Sequence, residues 1–212
     1  MNPIGKVIFC VLGLFAIPAF SQNRVGNGGN VILCEEKTQV SRIELLDFFE
    51  THLPLIELGD NHLQIARKRF ETLGTLDSSL GQQYLSRLEE MKAEISLREG
   101  VELVPVADSN HILKPAGAGC SVQQIAIRKK EVAEKEPRFL INKKYWDLLS
   151  HRDQAGLLVH EIVYEHFYKL GEKNSDKARI FTAHLFSKKF EGLSKAEHWK
   201  FVTSLKVPLY QK

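Results

Sequence analysis

His160 and Glu161 stand side by side within an apolar run, Leu157-Leu158-Val159 before them and Ile162-Val163 after. In the zinc-hydrolase pattern H-E-x-x-H, two imidazoles four residues apart share a helix face and hold the metal, and the glutamate is the general base. Here the stretch reads His160-Glu161-Ile162-Val163-Tyr164, so a phenol stands where the second ligand belongs. With a pKa of about 10, a phenol is a poor substitute for neutral imidazole. His166 does not repair the set, because it falls about 240° round the helix from His160. His184, in Thr182-Ala183-His184-Leu185, is the remaining candidate, carried by a neighbouring helix. On this reading His160 and His184 bind zinc and Glu161 is the catalytic base. The other reading makes the pair a structural polar cluster bonded to Arg179, Tyr164 or backbone. An unpaired buried charge costs several kcal/mol, so if the helix is buried each group must be paired, metal-bound or neutral.

The helix that carries the pair has a legible start. Ser150 and Asp153 make an S-x-x-D cap. Leu157, Val163 and Phe167 flank the His160 face, while Leu158 and Ile162 cover another, so the segment 157–170 is apolar on most sides and reads as a buried central helix. A strand at Phe139-Leu140-Ile141-Asn142 and a short helix with Tyr145, Trp146, Leu148 and Leu149 lead into it. Gly171 closes it, and Asn174-Ser175-Asp176 opens a further helix bearing Arg179, Phe181 and His184. Ser194-Lys195-Ala196-Glu197 is a capping box for a last helix with Trp199, Phe201, Val202 and Leu205.

Upstream, Gly26-Asn27-Gly28-Gly29-Asn30 reads as a flexible leader into a short strand, Val31 to Cys34. Ser41-Arg42-Ile43-Glu44 has the form of a capping box and predicts a helix with Leu45, Leu46, Phe48 and Phe49 inward, ending near Pro54. Helical spacing recurs from His62 to Leu73 and from Ser78 to Leu97. The second of these has the stripe Leu80, Tyr84, Leu88, Met91 and Ile95, with Arg87, Glu90 and Lys92 read as a solvated face. Val101–Val106 and Cys120–Arg128 have strand composition. The expected fold is α+β, a mostly helical single domain with a small sheet packed on the buried central helix.

The first 21 residues are read as a signal peptide: Lys6, then an apolar run from Val7 to Phe20, then Ala19-Phe20-Ser21 before the cleavage point. An uncleaved anchor is opposed by the shortness of that run. Cys10 lacks small residues before it, which argues against a lipoprotein cleavage. Residues 22–212 form the expected globular domain. Loss of the leader removes Lys6 and no acid, lowering the formal charge of +3 by one. So balanced a chain gives no reason to propose nucleic acid as partner, and no other segment predicts a membrane span. Of the three cysteines, Cys34 and Cys120 remain after cleavage. An even count in an oxidising compartment predicts a disulfide between them.

Taken together, Gly26-Asn27-Gly28-Gly29-Asn30 before Cys34, Glu44-Leu45-Leu46-Asp47, Gly119-Cys120 with Gln124-Ile125-Ala126, His160-Glu161 with Tyr164, and Asn174-Ser175 with Ala178-Arg179 resemble a group of uncharacterised exported bacterial proteins. The resemblance spans most of the mature chain and implies no activity. In that group a base follows the tyrosine, where Glu165 stands here, so the pairing of such a base with Glu161 does not carry over. Strand, short helix and His-Glu helix also follow the order seen in zinc-dependent peptidases, an analogy of fold only. The expected function is therefore that of an exported protein, periplasmic or secreted. It acts without catalysis as a binding or structural component with a protein or cell-envelope partner; the alternative is a zincin-like hydrolase of peptide or cell-wall material, with zinc as cofactor.

Overall fold

In a computed structural model, which describes residues 25–27, 29–37, 39–56, 59–101, 103, 117, 119–129, 132–133 and 136–207, the His-Glu helix is the axis of the fold. It runs His151–Lys169 (α5), with Ser150 at its N-cap accepting from the Asp153 amide at 3.1 Å. Every residue from Asp153 to Glu165 is buried. Leu157, Leu158, Val159, Ile162 and Val163 each contribute about 1.5–3 kcal/mol by leaving water, which offsets the cost of burying two ionisable groups among them.

Two small sheets flank the helical body. The first has the order β1-β6-β7-β4, built from Val25–Asn27 (β1), Ala126–Lys129 (β6), Phe139–Asn142 (β7) and Ile95–Arg98 (β4). Its pairs are antiparallel except β4 with β7. The second has the order β3-β2-β5, built from Gln39–Leu45 (β3), Asn30–Glu36 (β2) and Cys120–Gln124 (β5), all antiparallel. The helices α1 (Leu46–Thr51), α2 (His62–Leu76), α3 (Ser78–Glu94), α4 (Lys143–Trp146), α6 (Asp176–Phe186) and α7 (Lys195–Ser204) complete the body. The fold is α+β and mostly helical. One apolar cluster joins the helices around α5, and a second, smaller one collects Ile32, Cys34 and Leu46 beside β5.

Several expectations are corrected. Ser41 to Glu44 is not a cap but the middle of β3. Its backbone groups are taken by the ladder with β2, where Ile43 lies opposite Leu33 and Glu44 opposite Ile32. Helix α1 starts one residue after Leu45, with no side-chain cap. The stripe from Ser78 leaves the helix at Glu94; Ile95 to Leu97 form strand β4 because they pair with β7. The single strand expected over Cys120–Arg128 is divided at Ile125 between the two sheets. The glycine-rich leader is partly strand β1, and Gly29 is buried at the seam where β1 passes into β2. The signal segment, Cys10 and most of the strand expected at 101–106 lie outside the described residues.

Cys34 and Cys120 are direct partners across β2 and β5 and form a disulfide, with Cα atoms 3.9 Å apart. That is closer than the usual 4.4 to 6.8 Å. No helix among the described residues is long and apolar enough to cross a membrane.

Candidate functional site

The seam between the two sheets explains what Glu161 does. Gly29 O accepts from the amides of Ile125 at 3.1 Å and Ala126 at 3.3 Å, so this glycine joins the two sheets. Its own N–H points the other way, into the helix, and donates to Glu161 Oε1 at 2.7 Å. A side chain at position 29 would collide with Leu157, since a Cβ there falls 1.8 Å from Leu157 Cδ1. Glycine is thus required by close approach to α5.

His160 faces the other neighbour of α5. Its Nδ1 lies 2.7 Å from Asp47 Oδ2, a carboxylate on the short helix α1. Further back along α5, Asp153 Oδ1 accepts the Leu45 amide at 2.9 Å, one residue before α1 begins. Gln154 Nε2 donates to Trp146 O at 2.9 Å. Four polar side chains on α5 therefore tie the helix to α1, to β3, to α4 and to the sheet seam.

Burial sets the electrostatics. Asp47 and Glu161 are 0 % exposed and His160 is 1 % exposed. Burial pushes the Glu161 pKa up, and the charges of His160 and Arg128 with the Gly29 N–H only partly oppose it. For His160 burial works downward, but the charge and hydrogen bond of Asp47 outweigh it, and the net shift is upward. Asp47 therefore favours the protonated form of the His160 imidazole. Arg128, 4 % exposed, lies over the rings of Tyr164 (5.6 Å) and Tyr168 (5.2 Å) on the Glu161 side.

The structure places the other expected site residues elsewhere. His184 stacks on Phe201 of α7, ring centroids 3.6 Å apart, and meets Phe190 edge-on. Burial, with the charges of His198 and Lys189, lowers its pKa to about 4. Tyr164 places its ring 6.1 Å from that of His160. Arg179 is turned to Glu50, 2.7 Å from Nε, and to Ser175 and Asp176. It acts on His160 only through its charge. Among the described residues no three His, Cys, Asp or Glu side chains are grouped to hold a metal ion.

Asp47 is the partner that the His-Glu argument overlooks. The signal was present: an acid inside Leu45-Leu46-Asp47-Phe48-Phe49 raises the same question of an unpaired buried charge. Glu165, read as a departure from the resembling group, is held by Arg87 at 2.9 Å and Lys169 at 2.8 Å. Arg87 is thus no part of a solvated face. His166 bonds through Nδ1 to the Tyr84 hydroxyl at 2.9 Å, on the side of α5 facing α3.

Among the described residues, cavities of about 300 and 290 Å³ border α5, and neither of these is lined by His160 or Glu161. Compared with models of known protein families, with curated proteins and with solved structures, the chain matches none.

Proposed function

We propose that this is an exported protein, periplasmic or secreted, that acts by binding rather than by catalysis, and that Asp47, His160 and Glu161 hold its core together. One observation carries the reading. His160 and Glu161 are sealed from solvent, and each already has a partner within the chain. A general base must reach the proton it removes, and Glu161 is closed off from solvent on every side. Export is supported by the disulfide, since such bridges persist in oxidising compartments.

A second reading, zinc-dependent hydrolysis of peptide or cell-wall material, has one observation in its favour. Asp47 on Nδ1 leaves His160 Nε2 without a hydrogen-bond partner among the described residues, and a carboxylate behind a histidine is the usual support of a metal ligand. Tyr164 in the second ligand position and the lack of a third ligand among the described residues weigh against it.

Denaturant unfolding separates the two. Glu161→Ala leaves the Gly29 N–H and the Arg128 charge without their carboxylate, so a loss of about 3 kcal/mol or more is expected. Wild-type stability in that variant, with a hydrolytic activity abolished, would overturn the proposal. Mass analysis of the chain recovered from outside the cytoplasm should find Gln22 at its N-terminus, and an uncleaved chain retained in the cytoplasm would overturn the export part.

A further inference from the structure

Strand β4 is the outer strand of its sheet, paired with β7 on one side and with no strand among the described residues on the other. In a strand paired on one side only, alternate residues turn their N–H and C=O groups outward without a ladder partner. The register fixes which side chains share a face. Ile95 lies opposite Phe139 and Leu97 opposite Ile141, and both β7 residues are buried, so Ile95 and Leu97 stand on the core face of the sheet. Leu97 is nevertheless 39 % exposed. The core face of this sheet thus ends on a leucine that no further strand among the described residues covers.

The cavity of about 290 Å³ is walled by the same two side chains, Ile95 and Leu97, together with Leu63 of α2. Its floor is Leu158 of α5 and Trp146 of α4, both buried. His62 stands edge-on to Trp146, ring centroids 5.2 Å apart, and burial with the nearby charge of His151 keeps it neutral. Lys92, the one ionised group of the lining, is bonded to Glu89. On the outer side of β4 the space therefore takes a bulky apolar side chain. A strand laid along β4 would place such a side chain there, because residues directly opposite one another in a sheet share a face.

Charge on the other face narrows the occupant further. Ser96 and Arg98 alternate with Ile95 and Leu97 and so point away from the cavity. Arg98 is exposed and makes no ion pair with any described residue. The acids nearest to it in sequence face other bases: Glu94 meets Arg87 at 2.6 Å and Arg138 at 3.5 Å, and Glu99 meets Lys143 at 3.9 Å. The edge thus asks for three things in register. These are an extended backbone, a bulky apolar residue opposite Leu97, and a carboxylate on the adjacent residue, opposite Arg98. Added strands of this kind draw affinity from main-chain hydrogen bonds and specificity from pockets for alternate side chains.

We propose that β4 is a docking edge for an extended, acidic segment of a partner protein, which adds to the sheet as a fifth strand and seats an apolar side chain beside Leu97. The proposal rests on the reading of the protein as a binding protein and gives its partner a chemistry. The test is a nuclear magnetic resonance titration of the folded protein with a capped heptapeptide. Its central phenylalanine has a leucine two residues away on each side, with glutamates between them and a threonine at each end. The amides of Ile95 to Arg98 and the Trp146 indole should shift saturably, and outward amides of β4 should gain protection from hydrogen exchange. Lysines in place of the glutamates should weaken binding about threefold or more, and Arg98→Glu, at an exposed position, should reverse that order. The same residues with their alternation broken should bind several-fold more weakly. Four outcomes would each overturn the proposal: no saturable shift in β4, equal binding of the rearranged peptide, a charge preference unchanged in Arg98→Glu, or outward β4 amides already protected in the free protein, as a second copy paired along the edge would make them. The mass of the peptide after incubation keeps the two readings apart. A bound peptide that is cleaved would overturn the non-catalytic reading and leave the docking edge standing, whereas failure of docking leaves the metal content and the Glu161→Ala stability to decide that reading separately.

Discussion

A methyl group at Gly29 tests the contact between the sheet seam and the central helix. In Gly29→Ala the new carbon would stand 1.8 Å from Leu157 Cδ1 and 3.3 Å from its Cγ, against about 3.5–4.0 Å for carbons in contact. Leu157 is fully buried, so its side chain cannot swing into solvent. If the leucine is forced aside, overpacking costs about 1–3 kcal/mol. If the strand retreats instead, the bond from the Gly29 N–H to Glu161 is lost, and a buried polar group left unsatisfied costs about 1–3 kcal/mol. Relief takes the cheaper route or mixes the two, so about 2 kcal/mol is expected, or about 4–8 °C in Tm for a chain of this size. Thermal unfolding followed by circular dichroism reads it directly. Leu157→Val, which removes the clashing atom, should recover part of the loss in the double variant, with a coupling of about 1 kcal/mol or more. A Gly29→Ala protein within about 0.5 kcal/mol of wild type, or strict additivity with Leu157→Val, would refute the reasoning.

The α2–α3 crossing makes a contrast of sign. In Gly81→Ala the methyl meets Gly74 Cα at 2.4 Å and Phe70 O at 2.9 Å, backbone that cannot yield, so unfolding free energy should fall by about 2 kcal/mol or more. In Gly74→Ala the nearest atom is 3.9 Å away, and the helix should gain about 0.5–1 kcal/mol; equal effects at the two sites would contradict the packing described. His184 predicts a pH dependence. Its folded pKa of about 4 lies below the unfolded value of about 6.5, so between these values only the unfolded chain takes the proton, and stability falls as pH drops through that window. From about pH 7 to about pH 5 the loss is about 2 kcal/mol. His184→Phe should shrink that slope without removing it, since burial also lowers His62, His166 and His198; an unchanged slope would assign the effect elsewhere. Reduction of the Cys34–Cys120 bridge, with a sequence separation of 86, should cost about 4–5 kcal/mol in the chain-entropy model. Without reductant, mass spectrometry should find neither cysteine alkylated, and an unchanged Tm on reduction would deny the bridge its role.

Much of this was legible because it is local. The S-x-x-D start of α5, the Ser194–Glu197 box and the apolar faces of α2 and α5 depend on residues within a turn or two of one another. The same logic misreads Ser41–Glu44, which has the same pattern as Ser194–Glu197. What differs is β2 alongside, a buried strand whose ladder takes the backbone before a helix can. Ile95 continues a helical stripe and yet leaves it for β7, a partner more than forty residues further on in the sequence. The anomaly at His160-Glu161 was visible from composition, but its resolution was not. Asp47 is 113 residues from His160 and Gly29 is 132 from Glu161. A single sequence names a buried charge in need of a partner without saying which distant residue supplies it.

Metal content is the most direct measurement of the central claim. Protein isolated from its native compartment, with neither chelator nor added zinc, is analysed by inductively coupled plasma mass spectrometry beside His160→Ala. If His160 and Glu161 are core groups held by Asp47 and Gly29, both preparations contain far less than one equivalent of any transition metal. One equivalent of zinc in the wild type, lost in His160→Ala while the variant remains folded, would contradict the account and make this helix the ligand of a catalytic site.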